Sequence, residues 1–275
     1  MTQTVTPERI ESYCRALAAE ERATGTIAKY RRDLSALAVF LDRRALTPER
    51  TAAWKVHLLG RGCAPQTVNG KLAALNGFCR FWGWPLRAPF LKVQRQLFRD
   101  SRRELRRQDY QRLCAAADGL AARLLEALSA TGVRVSEVKF LTVEALRQGR
   151  AEIHLKGKIR TVLLPKKLCQ KLSQFAKEQY ITAGEIFRTP EGKPLSRFQI
   201  WRILKALARR AGVELSRVFP HNLRRLFAVA FYRVSRDLAG LADLLGHSSI
   251  ETTRIYLTVS CAQKRRQLDR LGLLQ

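Results

Sequence analysis

The sequence predicts a mainly α-helical protein with one small antiparallel sheet, built as an N-terminal helical domain followed by an α+β domain. Apolar residues recur at helical spacing through residues 5–95, with no alternating run among them. An arginine-rich stretch without periodicity follows, RQLFRDSRRELRR. Beyond it, a single alternating segment, AEIHLKGKIRTVLLP, stands among further helical patterns.

The elements follow in chain order. Thr6-Pro7 and Thr47-Pro48 each combine a capping hydroxyl with a proline suited to the first helical turn, so helices are expected to start there. Thr24 to Leu41 carries Ile27, Tyr30, Leu34, Leu37 and Leu41 on one stripe. Val68, Leu72, Leu75, Phe78 and Phe81 form another, which Gly83 and Pro85 end. Four or five helices are therefore expected in a first domain spanning 1–98. The boundary is expected near residues 96–104, with a basic linker at 99–106 and the second domain at 107–275. In the second domain helices are expected at about 108–117, 119–130, 167–180, 196–211, 221–234 and 237–245. A further helix is expected from Ser136 as N-cap. The hairpin places Ile153 and Leu155, then Val162 and Leu164, around a Lys-Gly-Lys turn.

Charge bounds the function. Lys and Arg total 51 against 23 Asp and Glu, a net charge of +28, and the excess runs through both domains, with no detachable basic tail. Such a field concentrates polyanions, and arginine's planar fork suits phosphate oxygens. No long apolar span or basic amphipathic anchor accompanies it, so nucleic acid is favoured over a membrane surface. Cys14, Cys63, Cys79, Cys114, Cys169 and Cys261 are scattered and form no metal-ligand or disulfide pattern. With no signal-peptide apolar region at the N-terminus, the expected location is the cytoplasm, at the nucleoid when DNA is bound.

Four stretches of the second domain hold polar residues in apolar surroundings. ATGVRVSEVKFL offers Arg134 beside Glu137, ordinarily a surface pair. HLKGKIR offers Lys156, Lys158 and Arg160 at a turn, ordinarily a solvated tip. FPHNLRRLFAVAFY opens an apolar helix with His221, Arg224 and Arg225. Positions 221 and 224 share a helix face, and such groups aimed at a core need an anion or a buried acid. LADLLGHSSIETTRIYLTVS places His247 after a glycine stop and Tyr256 nine residues later, too far apart for one continuous helical face. Together these supply what phosphoryl transfer from DNA to a side chain requires. Arginines would stabilise the extra negative charge of a pentavalent phosphate, and a phenol would attack with help from a base or a cationic field. Arginines supply the positive charge, so neither a metal nor a nucleotide cofactor is expected.

In order, TGVRVSE, KGKIR, HNLRR and LGHSSIETTRIY make the sequence resemble the tyrosine recombinase/phage integrase family, which includes the lambda integrase, Cre and Xer proteins. The resemblance implies a helical core-binding domain followed by a catalytic domain. It implies Arg134 and Arg224 as a phosphate clamp and Lys156 as acid toward the leaving 5′ oxygen, with Lys158 the alternative. His221 would act in proton transfer, His247 would bond a phosphate oxygen, and Tyr256 would form a covalent 3′-phosphotyrosine. Glu137 and Arg225 would support the site. Arg225 departs from the histidine of many relatives, so a more basic pocket is expected. Candidate DNA contacts are Lys29, Arg31, Arg32, Lys71, Arg102, Arg103, Lys158 and Arg160. The implied function is site-specific recombination through a Holliday junction, in integration, excision or dimer resolution. Duplex DNA and a synaptic tetramer are the implied partners, with scope for an accessory directionality factor. Type IB topoisomerase chemistry and a catalytically silent DNA-binding protein of this fold are the alternatives. Leu268, Leu271 and Leu274 give the tail a helical stripe, docked either on its own domain or on a neighbour. With no obvious extra N-terminal domain, the simpler family members are the nearer match.

Overall fold

The computed structural model describes residues 3–93, 103–155, 158–247, 249–257 and 261–271. The chain divides into two compact units, residues 1–95 and 96–275.

The first unit holds α1 (Pro7–Ala19), α2 (Thr24–Leu41), α3 (Pro48–Gly60) and α4 (Pro65–Phe81). Its starts follow the local chemistry. Thr6 and Thr47 accept the Arg9 and Arg50 backbone N–H groups, and prolines occupy the first turns. Leu34, Leu37, Leu72, Leu75 and Phe78 fill the core, as their spacing predicts, together with Trp54 of α3. A buried carboxylate, Asp33, joins α2 to α4, accepting from Lys29 and from Lys71, each at 2.9 Å. Burial alone would raise its pKa, but the two ammonium groups hold it below the usual range. After α4 the chain returns along the helix on two side-chain clamps. Asn76 bonds both the N–H and the carbonyl of Ala88, and Asn69 does the same for Leu91. An asparagine amide presents one donor and one acceptor side by side, which lets it act as a short piece of strand.

The second unit contains α5 (Arg107–Ala116), α6 (Gly119–Thr131), a 3₁₀ turn (Val135–Phe140), α7 (Val143–Gln148), β1 (Arg150–Leu155), β2 (Lys158–Leu163), α8 (Lys166–Glu178) and α9 (Arg197–Arg210). A second 3₁₀ turn (Leu215–Arg217) leads to α10 (Pro220–Ser235), α11 (Leu238–Leu245), α12 (Ile250–Leu257) and α13 (Cys261–Asp269). β1 and β2 pair antiparallel, from Arg150 opposite Leu163 to Leu155 opposite Lys158. Ile153 and Val162 face the core while Ile159 and Leu163 face outward. One core gathers α5 to α9, the hairpin and Leu223 of α10, and a smaller one forms around Ala228, Leu241, Leu245 and Tyr256.

Three local expectations are corrected. Ser136 does not cap a helix: Arg134 is the cap of a 3₁₀ turn, and Glu137 reaches back to accept its backbone N–H at 2.7 Å. A short helix, α7, goes unpredicted because six residues are too few to show a period. Residues 103–106, expected in the linker, are fastened to the second unit: Leu105 is buried and Asn222 donates to the Arg103 carbonyl at 2.7 Å. Residues 99–102, including Arg102, lie outside the described residues, as do Lys156 and the side chain of Lys158. Among the described residues no helix is long and apolar enough to cross a membrane.

Candidate active site

The second unit gathers its polar residues at the C-terminal end of α11. A helix leaves its last carbonyls without intrahelical partners, and the helix dipole makes that end negative. At α11 two of them are closed by the chain itself: His247 N–H donates to Ala242 and Gly246 N–H to Asp243. The next three receive arginines. Arg160 donates to the Leu244 carbonyl at 2.7 Å, Arg224 to Leu245 at 2.6 Å and Arg134 to Gly246 at 3.3 Å. Gly246 allows this by turning into the left-handed region at φ +62°, with its Cα against the Arg160 side chain. Backbone carbonyls therefore do what the sequence led us to expect of a buried acid or an anion, and two of the three guanidinium groups, those of Arg160 and Arg134, also share one carboxylate.

That carboxylate is Glu137. It accepts from Arg160 at 2.6 and 3.3 Å and from the Arg134 guanidinium at 2.8 Å. Burial alone would raise its pKa, but Arg160, the Arg134 backbone N–H and the Arg134 guanidinium together draw it down. Arg160, expected among the DNA contacts, thus has its guanidinium turned inward, bonded to Glu137 and the α11 end. Arg134 keeps 41% of its side chain open to solvent, whereas Arg224 is 3% exposed.

Arg224 lies near the start of α10, one turn in. It donates to the carbonyl of Gly132 at 2.5 Å, to Leu245, and to His247 Nε2 at 3.0 Å. Its Nε has no hydrogen-bond partner among the described residues. Burial and the nearby Arg134 lower its pKa, while Tyr256 acts in the opposite sense. Gly132, the left-handed C-cap of α6 at φ +63°, is what presents that carbonyl.

His247 and Tyr256 meet despite their separation in sequence. The chain turns at Gly246 before α12 starts, so His247 lies outside that helix and folds back over it. Its ring stacks on Tyr256 at 5.5 Å between centroids and 10° between planes, and His221 approaches the same phenol at 5.1 Å and 38°. Tyr256 is 7% exposed and packs with Ala228, Leu241 and Leu245. It is a core residue with two histidine rings against it. Burial, then Arg224, Arg134, Arg160 and His221, push the His247 pKa down to about 4, so the ring is neutral at neutral pH.

Other expected residues have different surroundings. Arg225 points to Glu104 at 3.1 Å, so its charge is met by a carboxylate where a more basic pocket was expected. Lys29 and Lys71 bond Asp33, and Arg31 holds Glu11 through two bonds at 2.6 and 2.9 Å. Arg32 is exposed, 3.8 Å from Asp33. Sequence reasoning missed Thr253, whose hydroxyl lies 2.8 Å from His247 Nδ1, although its place three residues before Tyr256 puts it on the same helix face.

Comparison with known proteins identifies the family and the fold. The family model described as phage integrase, N-terminal SAM-like domain, matches residues 10–84. Tyrosine recombinase XerC of Roseiflexus castenholzii is 32% identical, covering 90% of this chain and 88% of its own length. Tyrosine recombinase XerD of Agrobacterium fabrum is 33% identical over 91% and 89%. Among solved structures, a lambda integrase tetramer bound to a Holliday junction superposes with a TM-score of 0.72 at 17% identity, covering 90% of this chain and 76% of that one. The Tn1549 transposon integrase in complex with transposon right end DNA gives 0.71 at 15%, covering 99% and 100%. The model of the phage integrase family itself matches residues 103–263, more than half of the sequence and every residue of the arginine–histidine–tyrosine cluster, and the chain belongs to that family.

Proposed function

We propose that this chain is a site-specific DNA recombinase of the tyrosine type, which cuts and rejoins DNA through a 3′-phosphotyrosine intermediate and a Holliday junction. The observation that carries the reading is the Tyr256 ring set against His221 and His247, beside the buried Arg224. A guanidinium already fixed by carbonyls needs no reorganisation when a phosphate arrives, and such preorganisation is what stabilises a developing anion. Arg134, anchored at one edge and open at the other, completes a clamp for the two non-bridging oxygens.

In the forward step the Tyr256 Oη–phosphorus bond forms and the phosphorus–5′-oxygen bond breaks. The phenol proton passes to His221, and Lys156 gives a proton to the departing oxygen. The bond energy stays in the phosphotyrosine, so a 5′-hydroxyl from a partner duplex reverses the step and completes exchange. The helical first unit serves as the core-binding domain, and the net charge of +28 supports capture of duplex DNA. In the tail, Leu268 and Leu271 are about 60% exposed, which favours docking on a neighbouring protomer within a synaptic tetramer.

The test is adduct mapping on DNA flanking the chain's own coding locus. The wild-type chain is expected to form a denaturant-resistant covalent complex at one site and to yield recombinant product. Tyr256→Phe should keep its fold and DNA affinity and form no adduct, while Arg224→Lys should slow adduct formation by about 10²–10³-fold. Adduct formation by Tyr256→Phe, or plasmid relaxation by the wild type with no recombinant, would overturn the reading.

A further inference from the structure

His247 is bonded at both ring nitrogens, and its two partners differ in kind. Nε2 lies 3.0 Å from an Arg224 Nη2, and a guanidinium only donates, so Nε2 is an acceptor in the unloaded site. A neutral imidazole carries one proton, which must then sit on Nδ1. Nδ1 faces the Thr253 hydroxyl at 2.8 Å. Thr253 is 0% exposed, held on α12 three residues before Tyr256, and its β-branched side chain has few rotamers to choose from. The charged and titratable groups acting on the ring are Arg224, Arg134, Arg160 and His221, with Tyr256 stacked on it.

We propose that Thr253 is a positioning residue for His247. Its hydroxyl accepts a hydrogen bond from Nδ1–H, fixes the ring plane over Tyr256, and leaves Nε2 as the one nitrogen directed toward the phosphate clamp. The inference rests on the recombinase reading for its consequence, since a phosphate oxygen only accepts. When the phosphodiester enters, Arg224 keeps its carbonyl bonds and a phosphate oxygen takes the place of its Nη2–H at Nε2. Nε2 takes up one proton from solvent water and donates to that oxygen, the phosphate's negative charge offsetting the cations that keep the empty-site ring neutral. Nδ1–H stays on Thr253 throughout, so the ring changes from acceptor to donor without turning over. Because Thr253 and Tyr256 lie one turn apart on the same short helix, the bond also sets the distance from His247 to the nucleophile.

Thr253→Val and Thr253→Ser separate the hydroxyl from the packing. Valine keeps the branched shape and removes the acceptor, and serine keeps the acceptor and removes a methyl group. The first readout is the ¹⁵N spectrum of His247 in the full chain without DNA. The wild type and Thr253→Ser should show a protonated Nδ1 and a pyridine-like Nε2, while Thr253→Val should show a mixture of tautomers. The second is single-turnover adduct formation on a nicked duplex. Thr253→Val should be slowed about 10–100-fold at unchanged DNA affinity, and Thr253→Ser by less than about threefold. A Thr253→Val chain that is folded yet keeps the wild-type spectrum or cleaves at the wild-type rate would overturn the proposal. So would a folded Thr253→Ser that loses as much as valine. The spectrum is read without DNA, so a wild-type chain that forms no adduct would count against the recombinase reading and leave the spectral test of Thr253 standing.

Discussion

Glu104 and Arg225 form an ion pair of 3.1 Å, with Arg225 7% and Glu104 31% exposed. It ties the chain just ahead of α5 to the helix that carries His221 and Arg224. Asn222 adds a second tie on the same turn, donating to the carbonyls of Arg103 and Arg217. The first six residues of α10 thus alternate between the candidate site and the segment that enters the second unit.

Removing Glu104 takes away the carboxylate that faces a mostly buried charge. Glu104→Ala is expected to destabilise the chain by about 1–3 kcal/mol, less than a fully buried pair because Glu104 is partly in water. The charge-reversed double variant, Glu104→Arg with Arg225→Glu, should recover part of that loss in urea unfolding. An unchanged midpoint for Glu104→Ala would show that the pair contributes nothing.

Gly132 is required twice. It takes φ +63°, and a Cβ there would come within 2.5 Å of the Phe227 ring. Gly132→Ala should therefore cost about 2–4 kcal/mol, from left-handed strain and overpacking together. Adding Phe227→Leu should return the overpacking share and leave the backbone share, which thermal unfolding of the two variants would separate.

Glu137 predicts an acid-range loss of stability. Its folded pKa lies below the unfolded value of about 4.3, so its contribution is present above that value and disappears as pH falls through the lowered folded one. Glu137→Gln should cost about 3–5 kcal/mol at neutral pH, as expected for breaking a buried pair. The gap between wild type and variant should shrink below about pH 4. A gap that stays constant with pH would mean that charge is not what Glu137 supplies.

His247 acts in a different window. Its folded pKa is about 4 against an unfolded value near 6.5. Between the two the unfolded chain binds a proton that the folded chain does not, so stability falls as pH drops from about 6.5 to 4. His247→Asn should flatten the stability curve in that interval, and an unaltered slope would place the titration elsewhere.

Much of the fold was legible in the residues because local chemistry set it. The Thr-Pro starts at 6–7 and 47–48 and the glycine stop after α11 are short-range signals, and Thr24–Leu41 was readable from period alone. The site was legible as a set of residue types, but not as an arrangement. Arg160 reads as an exposed hairpin cation, and only the approach of α11 turns it inward onto Leu244 and Glu137. Arg225 reads as extra pocket charge, and only the return of residue 104 to α10 gives it a carboxylate. Thr253 looks like an ordinary helix residue until His247 folds back over α12.

The sequence by itself determined the helices, the hairpin, the basic charge and the identities of the groups able to clamp a phosphate and attack it. These depend on periodicity, capping and side-chain chemistry, which act within a few residues. The tertiary structure decided which of those groups face one another, because convergence requires elements far apart in the chain to pack. Its device is the open end of α11: three successive carbonyls collect Arg160, Arg224 and Arg134, the turn at Gly246 sends His247 back over Tyr256, and the charge of the cluster is held with one carboxylate.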